Sequence, residues 1–288
     1  MYNVYERKYF LYNCYMLFNQ DLITELQDLR HLKWDRNRFS SGTAGSYLKS
    51  YEVRDGRKIY YKLSNFDSLN GVIGHECINE LIVDRLLSVL GIDHLHYQLI
   101  HALIEIEGKE YETYLCASED FKENGDSKLT FEDYYLIMKQ DGESILDFAQ
   151  RIGLISFISE MLLVDFLIIN RDRHGANIEI LKNDKDKYRP APLFDHGLSF
   201  VFSCDTSEKL KSFDPLGDVP VQCFVGSHST FENLNLINPE NRPRVRTLKE
   251  EDKDFIFSDL EDILDKSYLD KISDIIYKRW EYYVHLSD

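Results

Sequence analysis

The 288-residue sequence lacks several features by which common protein classes are recognised. Its five cysteines are scattered, odd in number and without a C-x-x-C pair, so the sequence indicates neither a disulfide framework nor a cysteine-based metal site. Acidic residues outnumber basic ones by 50 to 34. The net charge of -16 disfavours binding to phosphate backbones or anionic lipid, which depends on clustered Lys and Arg. We therefore expect no direct contact with nucleic acid or membrane.

Long hydrophobic runs and targeting signals are missing as well. The most apolar window, 154–169, is short and is interrupted by Ser156, Ser159, Glu160 and Asp165, so we expect no membrane span. The N-terminus has no secretion signal, and with the unpaired cysteines this favours a cytoplasmic protein. There is no internal repeat or low-complexity tract, and the length fits one two-lobed domain.

The first part of the chain is rich in strand signals. Aromatic-rich "YERKYFLYNCYMLF" favours a strand, whereas "DLITELQDLRHL" has helical spacing. "YLKSYE" and "RKIYYKL" predict a hairpin at Asp55-Gly56. A second pair of strands is predicted around Glu107-Gly108, and "HECINELIVDRLLSVLG" predicts a helix that ends at Gly91.

The second part is predicted to be mainly helical. Helical patterns occur in "TFEDYYLIM" and in "SILDFAQRIGLISFISEMLLVDFLII", which predicts one or two buried helices. Residues 204–248 read as extended loop, and amphipathic helices are predicted after a Thr247-x-x-Glu250 capping box. The sequence thus predicts an N-lobe at 1–118 and a C-lobe at 119–288.

Two short polar motifs contain the predicted catalytic and metal-binding residues. In "NRDRHGAN", Asp172 precedes Asn177 by five residues, which is the separation of the catalytic base and the metal-binding Asn in the catalytic loop of protein kinases. Further along, "PLFDHGLSF" places Asp195 where the D-F-G element has its magnesium-binding Asp. Magnesium prefers oxygen ligands, so we predict Asn177 and Asp195 as the ligands and Asp172 as the base that accepts the proton of the attacking hydroxyl.

A kinase also needs groups that hold the phosphates of ATP. The segment "SSGTAGSYLK" offers small residues whose backbone N–H groups can approach an anion. Lys62 on the second hairpin strand and Glu80 on the next helix match the lysine and glutamate that position the α and β phosphates. By spacing, Lys58 and Glu76 are the competing candidates. The predicted phosphate-loop residues are Ser41, Gly42, Thr43, Ala44, Gly45 and Ser46.

The chain resembles the HipA-like serine/threonine kinases, whose fold is related to that of phosphatidylinositol 3/4-kinases. The resemblance rests on "NRDRHGAN" followed by "APLFDHGLSF" and is strongest over residues 160–200. It implies an ATP- and Mg-dependent kinase of the compact, stand-alone type, with an antitoxin as a partner. Two departures are Arg171, where a small residue is common, and His196, where Asn or Phe is expected.

The same resemblance implies a regulatory reaction. Members of the family autophosphorylate a serine in the phosphate loop, which switches the kinase off. A phosphorylated loop would repel the phosphates of ATP. The candidate acceptors are Ser40, Ser41, Thr43 and Ser46.

Some further residues receive roles from their positions. Cys116 and Ala117 fall in the predicted hinge, Leu115 to Glu119, and are predicted nucleotide contacts. His174 is included with the nucleotide-binding candidates, although a hydrogen bond that holds the loop is the favoured interpretation because no second zinc ligand is nearby. Asp165 is predicted to brace the catalytic loop from the buried helix.

The sequence thus predicts an α+β, two-lobed protein-kinase-like fold with a small antiparallel-sheet N-lobe and a larger helical C-lobe. ATP would bind between the lobes, and its γ-phosphoryl group would pass to Ser or Thr of a protein or of the chain itself. Two alternatives are a lipid or small-molecule kinase of the same fold, and a nucleotide-binding pseudokinase that acts as an interaction module.

Overall fold

The structure is a computed structural model that describes residues 20–35, 47–123 and 125–286. The predicted N-terminal aromatic strand and the predicted phosphate loop at 40–46 lie outside the described residues. Contacts divide the chain into two compact units. One takes its described residues from Met1–Arg38, Ala44–Leu81 and His96–Asp120, and the other from Ile82–Leu95 and Phe121–Asp288. The lobe boundaries drawn from the sequence stay predictions.

The first unit is built on a five-stranded sheet with strand order β1-β6-β7-β3-β2. All neighbouring pairs are antiparallel except β1 and β6, which are parallel. The strands of this unit are β1 (Leu22–Asp28), β2 (Lys49–Arg54), β3 (Arg57–Leu63), β6 (Gln98–Ile106) and β7 (Lys109–Glu119), with a separate small pair formed by β4 (Phe66–Asp67) and β5 (Gly71–Val72).

Both predicted hairpin turns are confirmed. Asp55 and Gly56 have φ values of 51° and 78°, and Glu107 and Gly108 have 54° and 79°. Two successive residues with positive φ match the right-handed twist of the flanking strands, and Asp-Gly is well suited to them. These local signals place Lys62 on β3, with Cys116 of β7 directly opposite.

The helix predicted from "DLITELQDLRHL" is wrong, because Leu22–Asp28 forms strand β1. Leu22 is buried and pairs with Leu99, and the register shifts between Ile23 and Gln27. The partner strand lies far along the chain, so a non-local ladder outweighs the local helical spacing.

Helix α1 (Glu76–Leu90) is the helix predicted to end at Gly91, which has a φ of 73°. Nearly every side chain of α1 is buried, including the charged Glu80 at 0 % exposure. A buried carboxylate is costly unless it has a partner, so the helix requires a cation close to Glu80.

The second unit is mainly helical and contains two small sheets, in the orders β11-β10-β8 and β12-β9. Its strands are β8 (Ser127–Thr130), β9 (Asp172–Arg173), β10 (Glu179–Lys182), β11 (Tyr188–Pro190) and β12 (Gln222–Cys223). Its helices are α2 (Phe131–Met138), α3 (Ile145–Arg151), α4 (Ile155–Ile168), α5 (Ser207–Ser212), α6 (Thr230–Leu234), α7 (Lys253–Ile256) and α8 (Lys266–His285), with 3-10 turns at Gly175–Asn177, Pro239–Asn241 and Glu250–Asp252.

Helix α4 forms the core of this unit. It is apolar on all sides and buried from Ile158 to Ile168 apart from Glu160, as an all-round hydrophobic helix must be. The helix predicted from "TFEDYYLIM" is α2, and the one or two buried helices predicted after it are α3 and α4. In the described part of the chain, no helix combines the length and the apolar character needed to cross a membrane.

The C-terminal region differs from the prediction in two details. Residues 204–248, predicted as extended loop, contain helices α5 and α6. The capping box predicted at Thr247 and Glu250 does not form. Instead, the carboxylate of Asp252 accepts a hydrogen bond of 2.8 Å from the Lys249 N–H, two residues later than predicted. A separate long helix, α8, follows with Asp265 as its N-cap.

Candidate active site

The segment that contains Asp172 begins where helix α4 ends. Ile169 takes a left-handed conformation with a φ of 53°, and its N–H donates to the carbonyls of Asp165 and Phe166. This cap turns the chain out of the helix, so that Asp172 and Arg173 enter strand β9 and pair in parallel with Gln222 and Cys223. Asp172 therefore lies on a short strand that is paired with β12.

A buried ion pair lies directly beneath this loop. The Arg173 guanidinium donates to Asp165 of α4 through Nε (3.0 Å to Oδ2) and Nη2 (2.9 Å to Oδ1), and the two side chains are 1 % and 9 % exposed. Asp165 also accepts from Asn170 Nδ2 at 2.8 Å. The prediction that Asp165 braces the loop from the helix is confirmed.

Arg173 also joins the two predicted motifs. Its Nη1 donates to the carbonyl of Asn177 and to the carbonyl of Phe194, each at 3.1 Å. Phe194 immediately precedes Asp195, which has a positive φ of 59°. One guanidinium thus fixes the backbone at both predicted magnesium ligands.

Burial alone lowers the pKa of Arg173, but the adjacent Asp165 carboxylate outweighs it, with a further contribution from Asp195, so the pKa is raised. The guanidinium is therefore a permanent buried cation near Asp195. Sequence reasoning gave Arg173 no role, although it lies inside "NRDRHGAN". Its contacts reach a helix and a second loop, and sequence spacing does not reveal them.

Asn177 is linked to Asp172. Its Nδ2 donates to the Asp172 carbonyl at 2.8 Å. Because the amide nitrogen is used in this bond, the side-chain oxygen is the atom that suits a cation. The structure thus brings Asp172 and Asn177 together in one loop and ties Asp195 to it through Arg173.

His174 stabilises the loop through a hydrogen bond inside it. Its Nδ1 accepts from the Ala176 N–H at 3.1 Å, which caps the 3-10 turn at Gly175–Asn177. The hydrogen bond predicted to hold the loop is confirmed. Because Nδ1 is the acceptor, the ring proton is on Nε2. Nε2 lies 3.8 Å from Asp172 Oδ2. A direct contact of His174 with a nucleotide stays a prediction.

Gly175 is required by close packing in the same loop. A Cβ at this position would lie 2.6 Å from the Cβ of Glu132 on α2 and would also overlap the Glu132 carboxylate. The first turn of α2 therefore presses against the loop between Asp172 and Asn177. Any larger side chain at 175 would displace one of them.

The first unit contains the other predicted pair. Lys62 Nζ lies 3.0 Å from Glu80 Oε1, and the two side chains are 13 % and 0 % exposed. The competing residues have other partners: Lys58 lies over the Tyr51 and Tyr60 rings, and Glu76 accepts from the Asn65 N–H. The open choice between pairs is resolved in favour of Lys62 and Glu80.

The other predicted nucleotide contacts of the first unit lie on the strand next to Lys62. Cys116 and Ala117 lie in β7 opposite Lys62 and Tyr61, and both are buried. Tyr47, which sequence reasoning did not select, has its ring 5.1 Å from Lys62 Nζ and its hydroxyl 3.3 Å from Glu76 Oε1. The nucleotide contacts of Cys116 and Ala117 stay predictions, as do those of the loop residues 41–46, which lie outside the described residues.

Comparison with known proteins gives a fold assignment. No family model and no curated protein sequence matches the chain. The structure is similar to that of the Helicobacter pylori proinflammatory kinase CtkA, with a TM-score of 0.58 and 15 % identity over 91 % of this chain and 98 % of that one. The fold is therefore that of a kinase, and the predicted α+β, protein-kinase-like fold is confirmed.

A second solved structure aligns only weakly with this chain. A chain from the Shewanella oneidensis MR-1 complex of HipA, HipB and operator DNA aligns at a TM-score of 0.35 and 13 % identity, and this chain spans 60 % of its length. That TM-score is too low to support a conclusion. The CtkA match shows the fold alone, and the resemblance to HipA-like kinases stays a prediction from the sequence motifs.

Proposed function

We propose that this chain is an ATP- and magnesium-dependent kinase that transfers the γ-phosphoryl group to a Ser or Thr hydroxyl of a protein. The observation that carries the proposal is the position of Arg173, which hydrogen-bonds the backbone at Asn177 and at Phe194. Phosphoryl transfer depends chiefly on positioned ligands and charges, so a rigid support for both predicted metal ligands is what the reaction needs. The kinase fold agrees with it.

The residues present fit magnesium. Asn177 offers an amide oxygen, because its nitrogen is bound to the Asp172 carbonyl, and Asp195 offers a carboxylate. These are hard oxygen donors, and magnesium is commonly held by one or two protein oxygens together with phosphate oxygens and water. Asn177 and Asp195 would hold the ion, which would supply positive charge to offset the charge that develops on the phosphate during transfer.

Asp172 is the proposed base. A carboxylate can orient the attacking hydroxyl and accept its proton. The loop fixes the backbone of Asp172 through the Asn177 amide and through pairing with Gln222. His174 Nε2 lies 3.8 Å from Asp172 Oδ2.

Lys62 is the proposed phosphate contact in the first unit. Glu80 holds the ammonium at a fixed point on β3 through a hydrogen bond of 3.0 Å. Because Glu80 is fully buried, the pair is well ordered and little entropy is lost when an anion binds.

Two further parts of the proposal come from the family resemblance. Autophosphorylation at Ser40, Ser41, Thr43 or Ser46 would inhibit the kinase by repelling ATP. The second part is that the kinase acts as a toxin and has an antitoxin as its partner. Both stay predictions.

The test is a transfer assay with γ-labelled ATP and three acceptor classes: proteins, phosphoinositide vesicles and the chain itself. Each is run with magnesium, with EDTA, and with Asp195→Asn. We expect magnesium-dependent label on Ser or Thr of protein, strongly reduced in Asp195→Asn. Label on phosphoinositide alone would favour the lipid-kinase alternative. Tight Mg-ATP binding without transfer to any acceptor would favour the pseudokinase alternative.

A further inference from the structure

Two buried thiols meet at the backbone of the proposed ATP lysine. Cys77 Sγ lies 3.1 Å from the Lys62 carbonyl oxygen, and Cys116 Sγ lies 3.8 Å from the same atom. Cys77 is in the first turn of α1, and Cys116 is the strand partner of Lys62 on β7. Both sulfurs therefore lie beside one carbonyl oxygen.

The surroundings of the two thiols make them chemically unequal. Burial by itself raises the pKa of Cys77, but the hydrogen bonds from Cys116 and Ser64 and the nearby Lys62 ammonium outweigh it, so the pKa of Cys77 is lowered. The hydrogen bond to Cys77 and burial hold the pKa of Cys116 well above its ordinary value. In such a pair, the sulfur with more thiolate character attacks the oxidant and the other resolves the product. Both cysteines are only 1 % exposed, so the oxidant must be as small as hydrogen peroxide to reach them.

The other described cysteines lack these features. Cys204 and Cys223 are in the second unit, and burial raises the pKa of each, that of Cys223 to about 11. They are free thiols with little thiolate character. They serve as internal controls for any reaction of Cys77.

We propose that Cys77 and Cys116 are a peroxide-sensitive dithiol that closes to an intramolecular disulfide and disturbs the Lys62–Glu80 pair. The disulfide requires only that the two sulfurs, which both contact the Lys62 carbonyl oxygen, come together. Its effect on nucleotide binding rests on the proposed function, because it requires Lys62 to contact ATP.

The chemistry balances in two steps with hydrogen peroxide as the oxidant. The Cys77 thiolate attacks one peroxide oxygen, the O–O bond breaks, and with one proton this gives Cys77 sulfenic acid and water. The Cys116 sulfur then attacks the Cys77 sulfur, the S–O bond breaks, and the Cys116 proton leaves with the hydroxyl as a second water. Both sulfurs are oxidised, and one peroxide is reduced to two water molecules.

The consequence follows from where the sulfurs lie. An S–S bond is about 2.0 Å long, so closure replaces the contact between the Cys77 thiol and the Lys62 carbonyl and draws the first turn of α1 towards β7. Glu80 is three residues after Cys77 on the same helix and moves with it. Because the cation is held by Glu80, Lys62 loses its position for the phosphates.

The first measurement maps the bond. The native chain is treated with hydrogen peroxide, alkylated, digested without reductant and analysed by mass spectrometry. We expect a Cys77–Cys116 crosslink in wild type and in Cys223→Ser, and none in Cys77→Ala. Oxidation of Cys204 or Cys223 without a Cys77–Cys116 crosslink would overturn the proposal, and this result needs no variant that could misfold.

The second measurement follows nucleotide affinity with a fluorescent ATP analogue. We expect oxidised wild type to bind about tenfold or more weakly than reduced wild type, with recovery after dithiothreitol, whereas Cys77→Ala has the same affinity with and without peroxide. A crosslinked protein with unchanged affinity would overturn the proposed effect on Lys62. If the reduced chain binds no nucleotide, the proposed function fails, while the crosslink map still decides whether the dithiol exists.

Discussion

Arg173 and Asp165 form a bidentate ion pair that is almost completely buried, with Nε–Oδ2 and Nη2–Oδ1 distances of 3.0 and 2.9 Å. Such a pair adds little to the free energy of unfolding compared with an apolar pair of the same shape. Loss of one partner, however, leaves an uncompensated buried charge. Here the guanidinium also holds the backbone at Asn177 and Phe194. The pair therefore couples the stability of the second unit to the geometry of the proposed site.

Arg173→Met is expected to destabilise the second unit by about 3–5 kcal/mol, because Asp165 would keep a buried charge without its partner. Urea unfolding of the two proteins measures this difference. The matched control is Lys128→Met, which breaks the ion pair with Glu179 from a side chain that is 54 % exposed and should change stability little. Equal unfolding midpoints for Arg173→Met and Lys128→Met would show that the buried pair has no structural role.

Lys62→Met is expected to weaken nucleotide binding on the order of 10- to 100-fold, the loss that follows when a charged hydrogen bond worth about 1.5–3 kcal/mol is removed. Lys58→Met is the matched control, because Lys58 lies on the same strand over two tyrosine rings. Its affinity should stay close to that of wild type. Titration with a fluorescent ATP analogue measures both. A larger effect of Lys58→Met would show that Lys58, and not Lys62, contacts the phosphates.

Gly175→Ala is expected to reduce phosphoryl transfer, because its Cβ would collide with Glu132 and displace the loop between Asp172 and Asn177. Glu132→Gly removes both colliding groups, the Cβ and the carboxylate. In a double-mutant cycle, the double variant should recover a large part of the activity lost by Gly175→Ala alone. If the two effects simply add, the contact between α2 and the loop is not the cause of the loss.

The His94–Asp84 pair predicts a pH dependence of stability. The two side chains are buried, and His94 Nε2 lies 3.0 Å from Asp84 Oδ1. Burial alone lowers the pKa of His94, but the Asp84 carboxylate outweighs it and the pKa is raised. The folded state thus binds the proton more tightly than the unfolded state does. The resulting stability is fully present below the unfolded pKa of about 6.5 and is lost as the pH rises through the folded-state pKa.

The measurement is the urea midpoint of wild type and of His94→Gln over a pH series from about 6 to about 9. The stability advantage of wild type should be greatest at the acidic end and should shrink as the pH rises. An advantage that grows with pH would mean that His94 is buried in its neutral form.

The sequence predicts those parts of the fold that depend on neighbouring residues. The Asp55-Gly56 turn, helix α1 up to Gly91 and the loop from Asp172 to Asn177 all follow from short patterns. Strand β1 could not be predicted in this way. Its residues have helical spacing, and only the ladder with distant β6 makes it a strand.

The same limit applies to the candidate site. Kinase-like spacing selected Asp172, Asn177 and Asp195, and the strand and helix positions selected Lys62 and Glu80 as one of several pairs. Only the structure shows that Lys62 and Glu80 are in contact. Arg173 was missed because its role depends on carbonyl groups that are brought to it by the fold, and such contacts leave no periodic signal in the sequence.

The central claim is tested most directly by single-turnover transfer of labelled γ-phosphate by wild type and Asp172→Asn, with Mg-ATP affinity measured in parallel. The substitution keeps the shape of the side chain and removes its ability to accept a proton. The account predicts that transfer falls by about 10²-fold or more while Mg-ATP affinity is nearly unchanged. Transfer at the wild-type rate by Asp172→Asn would contradict it.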